Sequence, residues 1–197
     1  MKTVTRSEDC VACQDCCQFS AEKLYFAPLF TDSELDAVTR RLPPDRPWPA
    51  FHRHQGSRTV WQIELLPSRT RPHLYACPFL DETTHLCAIY PDVPFDCRVW
   101  PFLVSWSADG RRLELACVER HECPSLLRTG SEALAAYTRY LLGCLRRPEF
   151  IRLLRAHRAL IWPHQPNSIA LADLTADFLG AAQPETQWEP VAHPLSR

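Results

Sequence analysis

The chain has 197 residues, 46% of them hydrophobic, and its 22 Lys and Arg residues nearly balance 23 Asp and Glu residues. This length allows one domain with its own core, or one domain with an appendage. The formal net charge of -1 excludes the basic excess typical of a nucleic-acid-binding protein. No apolar run approaches the roughly 18 residues that cross a bilayer, so we expect neither a nucleic-acid partner nor a membrane span.

The start of the chain, MKTVTRSEDC, has no apolar segment like that of a secretory signal. We therefore expect a cytoplasmic protein. In that reducing compartment ten cysteines are seldom disulfides and more often bind metal. The 18 prolines and only 5 glycines predict stiff, irregular connections, which metal ligation would hold in place.

The first predicted element is a short helix over residues 31–42. Thr31 and Glu34 have the spacing of a capping box, and Pro43 stops the helix.

Strands are predicted next. Residues 59–66 favour a strand, and residues 102–106 and 111–118, joined through SADG, form the clearest hairpin pattern in the chain.

The last third of the chain is predicted to be helical. Helical spacing of apolar residues indicates three helices, over residues 131–147, 148–162 and 168–180. Ser131 is the expected N-cap of the first, Pro148 lies in the first turn of the second, and Gly180 closes the third.

The fold class that these elements predict is α+β: a small metal-stapled, cysteine-rich domain with an antiparallel hairpin, covered by C-terminal helices. We assign residues 1–125 to the metal-binding domain, 126–180 to a helical extension packed on it, and 181–197 to a tail.

Cysteines near the start of the chain carry the strongest functional pattern. The octapeptide CVACQDCC has the spacing C-x2-C-x2-C-C, and single cysteines follow at wide intervals. Ligands this far apart meet only after folding, so metal binding would be tied to folding. Eight cysteines are the predicted metal ligands, enough for two four-ligand sites: Cys10, Cys13, Cys16, Cys17, Cys77, Cys87, Cys97 and Cys117.

The spacing favours an iron–sulfur cluster over zinc. Structural zinc sites usually pair two C-x2-C knuckles, and this chain has no second one. A C-x2-C-x2-C loop with a remote Cys-Pro pair matches the bacterial ferredoxin pattern, and both Cys77-Pro78 and Cys123-Pro124 offer that pair. We expect a [4Fe–4S] cluster, with zinc as the alternative and Cys123 as a replacement for one of the eight ligands.

Other polar residues have simpler interpretations. Cys144 is expected to be a small apolar residue on a helix. His85 and His121 lie near cysteines and are minor alternative ligands. No nucleophile arrangement can be argued from the sequence, so catalytic residues stay unassigned.

Four segments, at residues 10–17, 77–80, 87–90 and 97–102, together resemble the YkgJ-type cysteine-cluster family, a zinc- or iron-chelating domain. The family pattern is C-x2-C-x2-C-C, C-P-F-L, C-x-I-Y and C-R-x-Y-P-F. Trp100 stands where the family usually has tyrosine, and the final family cysteine falls on Cys117. The resemblance covers residues 8 to 124 and implies a metal-binding domain. A related cluster in flagellin lysine methylases implies that such a domain can sit beside methyl-transfer chemistry.

Three functions remain open at this point. The first is a cytoplasmic protein whose cysteine thiolates hold an iron–sulfur cluster in a redox or accessory role. The second is a zinc-stapled interaction module that docks a protein partner through its C-terminal helices. The third is a cluster-containing modifying enzyme related to the methylases.

Overall fold

The structure is a computed structural model and describes residues 11, 15–43, 47–54, 57–119 and 123–179. The described part of the N-terminal half contains short strands and the helix α1 (Asp32–Arg41). The strands are β1 (Gln18–Phe19), β2 (Leu29–Thr31), β3 (Phe51–Arg53), β4 (Val60–Ile63), β5 (Leu66–Pro67), β6 (Tyr75–Ala76), β7 (Leu80–Asp81) and β8 (Leu86–Cys87). The strands form three small antiparallel sheets, in the orders β1-β6-β5, β2-β4-β3 and β7-β8.

The C-terminal half contains longer elements: α2 (Phe95–Val99), β9 (Phe102–Trp106), β10 (Leu113–Val118), α3 (Pro124–Arg128), α4 (Ser131–Leu145), α5 (Pro148–Ala156), β11 (Ser168–Asp173) and α6 (Thr175–Leu179). The described residues also form 3-10 turns at Asp15–Cys17, Ala21–Phe26 and Arg158–Leu160. Helices and antiparallel sheets together confirm the α+β class. No helix in the described part of the chain combines the length and the apolar character that spanning a bilayer would require.

Helix α1 begins at the predicted capping box. The Thr31 hydroxyl accepts a hydrogen bond from the Glu34 amide at 3.3 Å, and the Glu34 carboxylate accepts one from the Thr31 amide at 2.9 Å. Glu34 also accepts a 2.6 Å hydrogen bond from the Phe95 amide, so the same side chain fixes the start of α2.

The predicted hairpin is confirmed as β9 and β10, with Trp106 opposite Leu113. In its turn the Ser107 hydroxyl donates to Asp109 at 2.6 Å, and Gly110 takes a φ of 69°, which a residue without Cβ adopts at no steric cost. The strand predicted over residues 59–66 is present as β4 and β5, which leave a short break between them.

The helix predicted over residues 168–180 is wrong. Residues 168–173 instead form β11, which pairs antiparallel with β10 across a bulge, and only Thr175–Leu179 is helical. The apolar residues that suggested a helix serve two elements, because Leu174 and Phe178 are buried while Ile169 and Leu171 are exposed on the edge strand. Hydrogen bonding to the free edge of β10 therefore outweighs local helix propensity.

Two helix boundaries also differ from the predictions. Helix α4 has Gly130 rather than Ser131 at its N-cap. Helix α5 keeps Pro148 in its first turn but ends at Ala156, because His157 leaves the helical conformation and its Nδ1 lies 2.8 Å from the Thr59 hydroxyl. Gly180 and residues 181–197 lie outside the described residues.

Buried side chains form two apolar clusters. The first core lies among the small sheets of the N-terminal half and includes Phe30, Ile63, Phe79 and Ile89. The second core lies between the β9-β10 sheet and helices α4 to α6, and its members include the buried residues Leu115, Tyr137, Leu141, Leu154 and Phe178. Of the predicted cysteine ligands, Cys77 is a member of the first core, with Cys17 and Cys87 packed against it, and Cys117 is a member of the second.

Candidate metal centre

Cys17 and Cys77 are brought together by the pairing of β1 with β6. The register places Gln18 opposite Ala76, and the amide of Cys77 donates to the carbonyl of Cys17 at 2.9 Å. The two cysteines therefore extend the same ladder by one position, although 59 residues separate them in the chain. Residues opposite each other in an antiparallel ladder have Cβ atoms about 5 Å apart, so the two thiols lie close together.

Cys77 occupies a tight turn whose backbone amides face its sulfur. The amides of Phe79 and Leu80 donate hydrogen bonds to the Cys77 thiol, and the Leu80 amide also reaches the Cys77 carbonyl at 2.9 Å. Amide donors aimed at a sulfur stabilise its thiolate form. Strand β7 then pairs with β8 so that Leu80 lies opposite Cys87, which brings a third cysteine to the same region.

Glu82 holds the β7-β8 hairpin against the preceding loop. Its carboxylate is 6% exposed and accepts hydrogen bonds from the Ser68 hydroxyl, from the Arg69 amide at 3.0 Å and from the Thr70 hydroxyl at 3.0 Å. Burial opposes ionisation of Glu82, but these donors outweigh it and lower the pKa of Glu82 to about 2. The Glu82 carboxylate, which is charged at neutral pH, therefore holds the hairpin that carries Cys87 against the loop of Ser68, Arg69 and Thr70.

Cys97 lies on α2, which a half-buried carboxylate anchors to the rest of the fold. The neighbouring Asp96 accepts hydrogen bonds from the Leu29 amide at 3.2 Å and from the Trp162 indole at 2.9 Å. Burial raises the pKa of Asp96 to about 6. Asp96 therefore connects the Cys97 turn both to β2 and to the segment after α5.

Five cysteine side chains influence one another electrostatically: Cys16, Cys17, Cys77, Cys87 and Cys97. A hydrogen bond from Cys16 lowers the pKa of Cys17, but burial and the other thiols outweigh it and the net pKa is raised. Burial raises the pKa of Cys77 to about 12, with Cys87 and Cys16 adding to the rise.

The pKa of Cys97 is also raised. Burial, and then the nearby Asp96 and the cluster thiols, raise the pKa of Cys97 well above its ordinary value. The raised pKa values of Cys17, Cys77 and Cys97 favour their thiol forms when no cation is bound, because neighbouring thiolates would repel each other.

The donor set fits a metal or an iron–sulfur cluster. Soft thiolates from four separate segments of the chain converge, and amide donors already face one of the sulfurs. Among the described residues, however, no three histidine, cysteine, aspartate or glutamate side chains are arranged so that they could already hold a metal ion. Cys16 is exposed, so the group reaches the protein surface.

The remaining predicted ligands have different positions. Cys10 and Cys13 lie outside the described residues, as does the alternative ligand His121. Cys117 is buried in the second core, on β10 opposite Phe102, and Cys123 is buried in the same core. The structure thus brings five of the eight predicted ligands together and places Cys117 in the other apolar cluster.

Two further cysteine and histidine predictions can be compared with the structure. Cys144 is 4% exposed on α4, in agreement with its predicted packing role. His85 has a φ of 61° and its amide donates to the Asp81 carbonyl at 2.7 Å, so it forms the β7-β8 turn.

The sequence analysis did not predict the burial of Gln18 or the hydrogen bonds that Glu82 accepts. Gln18 is 5% exposed, and its side-chain amide has no hydrogen-bond partner among the described residues. Glu82 carried no signal, because its partners precede it by 12 to 14 positions.

Comparison with known proteins supports the chemistry of this site. The family model "CxxCxxCC: Putative zinc- or iron-chelating domain" matches residues 9–124, which is more than half of the chain. A search of curated proteins and a search of solved structures found no match. The matched range contains every cysteine of the electrostatically linked group. The chain therefore belongs to the CxxCxxCC family of zinc- or iron-chelating domains.

Proposed function

We propose that this protein holds an iron–sulfur cluster through cysteine thiolates and serves a redox or accessory role in the cytoplasm. The observation that carries the proposal is the convergence of Cys16, Cys17, Cys77, Cys87 and Cys97 in one electrostatically linked group. Cys10 and Cys13 belong to the same N-terminal motif and complete the ligand supply.

The raised thiol pKa values explain why such a group needs a cation. In the folded arrangement, burial raises the pKa values of Cys77 and Cys97, and repulsion between neighbouring thiolates adds to the rise, so forming thiolates there without a cation is unfavourable. A bound cation replaces those protons and neutralises the thiolates. These cysteines are therefore suited to binding a metal cation, and at neutral pH they are unsuited to act as free nucleophiles.

The form of the loop supports iron–sulfur over zinc. The N-terminal motif supplies three cysteines at C-x2-C-x2-C, and Cys77 is a remote cysteine followed by proline, as in bacterial ferredoxin runs. The amide donors of Phe79 and Leu80 fit the same interpretation, because hydrogen bonds to cluster sulfurs help to set the reduction potential. A cluster bound there would supply one-electron transfer.

Elemental analysis of anaerobically purified protein tests the proposal. We expect a brown protein with iron and acid-labile sulfide, about four of each per filled site. Cys97→Ser should lower the iron content, whereas Cys144→Ser, a matched change at a cysteine that packs on α4, should not. Stoichiometric zinc without sulfide would refute the cluster and leave a zinc-stapled module. Absence of any bound metal would refute metal binding itself.

A further inference from the structure

Cys97 lies in a helix that is too short to hold its own position. Helix α2 has five residues, and isolated helices of fewer than about 12 residues are marginal in water. Its N-cap is Pro94, which offers no side-chain acceptor to the first amides of the helix. The place of Cys97 among the other thiols therefore depends on contacts that reach α2 from elsewhere in the chain.

The first of these contacts comes from Glu34, which lies 61 positions before Phe95 in the chain. One oxygen of its carboxylate, Oε1, accepts a 2.6 Å hydrogen bond from the amide of Phe95, the first residue of α2. The other oxygen, Oε2, accepts hydrogen bonds at 2.9 Å from the amide and from the hydroxyl of Thr31. Glu34 is thus held by the capping box of α1 and in turn holds the start of α2.

A second hydrogen bond runs in the opposite direction between the same two segments. The amide of Leu29, in β2, donates to Oδ2 of Asp96 at 3.2 Å. Consecutive residues of α2 are therefore attached to β2 and to the start of α1, one through its amide and the next through its carboxylate. Cys97 follows directly in the same helical turn, so these two attachments fix its backbone position.

The charges at this attachment are not those that folding stability alone would favour. Burial raises the pKa of Asp96, and the nearby Glu34 carboxylate adds to the rise because the two like charges repel each other. Burial also raises the pKa of Cys97, and Asp96 adds to that rise. Groups that can carry negative charge therefore stand close together beside Cys97, and a cation bound to its sulfur would relieve their repulsion.

We infer that Glu34 is a positioning residue of the metal centre: by accepting the hydrogen bond from the Phe95 amide, it holds the α2 turn so that the sulfur of Cys97 stays among the thiols of the electrostatically linked group. This inference rests on the proposed function and deepens it, because it names a residue outside the cysteine motifs that keeps one ligand in its metal-binding position. Partners that orient a metal ligand without touching the metal typically change metal affinity by about 10- to 100-fold.

Cobalt(II) bound to the full chain is the probe, because the intensity of its sulfur-to-metal charge-transfer band reports how many cysteine sulfurs are bound. Glu34→Ala removes the acceptor of the Phe95 amide. We expect this variant to lose cobalt at about tenfold lower chelator concentration and to show a weaker band, because Cys97 is no longer held in its ligand position.

A milder variant keeps the test valid if Glu34→Ala does not fold. Glu34→Gln preserves the length of the side chain and remains a capping-box residue. Its single carbonyl oxygen cannot serve both the Thr31 amide and the Phe95 amide, so the chelator midpoint and the band intensity should change in the same direction as in Glu34→Ala and by less.

Thr31→Val is the matched control, because it weakens the start of α1 without removing the acceptor of the Phe95 amide. The change deletes the hydroxyl that accepts from the Glu34 amide at 3.3 Å, and it leaves the backbone amide of residue 31, which donates to the Glu34 carboxylate. Thr31→Val should lower the urea midpoint of unfolding, as the loss of an N-cap does, and leave the chelator midpoint and the band intensity unchanged.

The outcomes separate this inference from the proposed function. A wild-type protein that binds cobalt, with both Glu34 variants unchanged in chelator midpoint and band intensity, would overturn the role of Glu34 alone. Equal chelator shifts in Glu34→Ala and Thr31→Val would do the same, because they would show that the stability of α1, and not the hydrogen bond to Phe95, decides metal affinity. A wild-type protein that takes up no cobalt, iron or zinc would overturn both.

Discussion

Replacing Glu82 by glutamine should destabilise the protein by about 3 kcal/mol at neutral pH. The change keeps the shape of the side chain but puts an NH2 group where the carboxylate now accepts hydrogen bonds from Ser68, Arg69 and Thr70. Hydrogen bonds to a charged acceptor contribute about 1.5–3 kcal/mol each. The glutamine carbonyl can still accept some of the three hydrogen bonds, but its NH2 group would point at N–H and O–H groups that need an acceptor. The lowered pKa of Glu82 leads to a similar destabilisation, because a pKa of about 2 in place of about 4.3 corresponds to about 3 kcal/mol of folding free energy.

The pKa of Glu82 also determines how the difference in unfolding free energy between wild type and Glu82→Gln depends on pH. The folded-state pKa of Glu82 is about 2, below the value of about 4.3 for an unfolded glutamate. A lowered pKa contributes stability that is complete above the unfolded value and is lost as the pH falls toward the folded one. The difference between wild type and Glu82→Gln should therefore be constant above about pH 5 and fall by roughly half at pH 3.

Urea unfolding of both proteins at pH 7 and pH 3 measures the two quantities. Glu114→Gln is the matched control, since Glu114 is 8% exposed and, among the described residues, forms an ion pair at 3.2 Å with Arg112, whose side chain is 59% exposed. We expect it to lose less than about 1 kcal/mol. A Glu82→Gln difference below about 1 kcal/mol at pH 7, or one of equal size at both pH values, would refute the assigned role of the carboxylate.

Four further changes test other parts of the structure. Metal removal by a chelator should unfold residues before about 125 and increase their amide hydrogen exchange, because metal binding contributes much of the folding free energy of such sites; native exchange after complete removal would contradict this. Cys144→Ser should cost on the order of 1 kcal/mol in urea and keep its metal, whereas Cys97→Ser should lose metal; equal metal loss would make the ligand assignment wrong. His85→Gly should change stability by less than about 1 kcal/mol and leave metal content intact, because glycine accepts the left-handed turn conformation; metal loss would identify His85 as a ligand. Trp162→Phe should cost about 2 kcal/mol, because it removes the indole donor from the half-buried Asp96 carboxylate, and an unchanged urea midpoint would show that this bond is not stabilising.

Local features of the fold could be predicted from the sequence because their causes lie within a few residues. The Thr31 and Glu34 capping box starts α1 through bonds between positions three apart. The β9-β10 turn depends on Ser107, Asp109 and Gly110, which are also neighbours in the chain. The family resemblance of residues 8 to 124 was likewise contained in short motifs, and the family match confirmed it.

Elements that depend on distant partners could not be predicted in this way. Residues 168–173 have apolar spacing that suits a helix, but the free edge of β10 supplies strand hydrogen bonds to them. The end of α5 depends on contact between His157 and Thr59, which are 98 positions apart. Local propensity differs between such alternatives by less than about 1 kcal/mol per residue, so tertiary hydrogen bonding decides.

The candidate site, too, has features that the sequence predicts and features that depend on long-range contacts. The thiol content of this chain and the metal-binding spacing of its N-terminal cysteines could be recognised from the sequence alone, because ligand chemistry is a property of residue type. Strand pairing and core packing place Cys17 beside Cys77 and bury Cys117 in the second core, and they bury Gln18 with no hydrogen-bond partner for its side chain among the described residues. Proximity between residues 59 or more positions apart is produced by strand register and core packing, and no pattern within a short stretch of sequence contains that information.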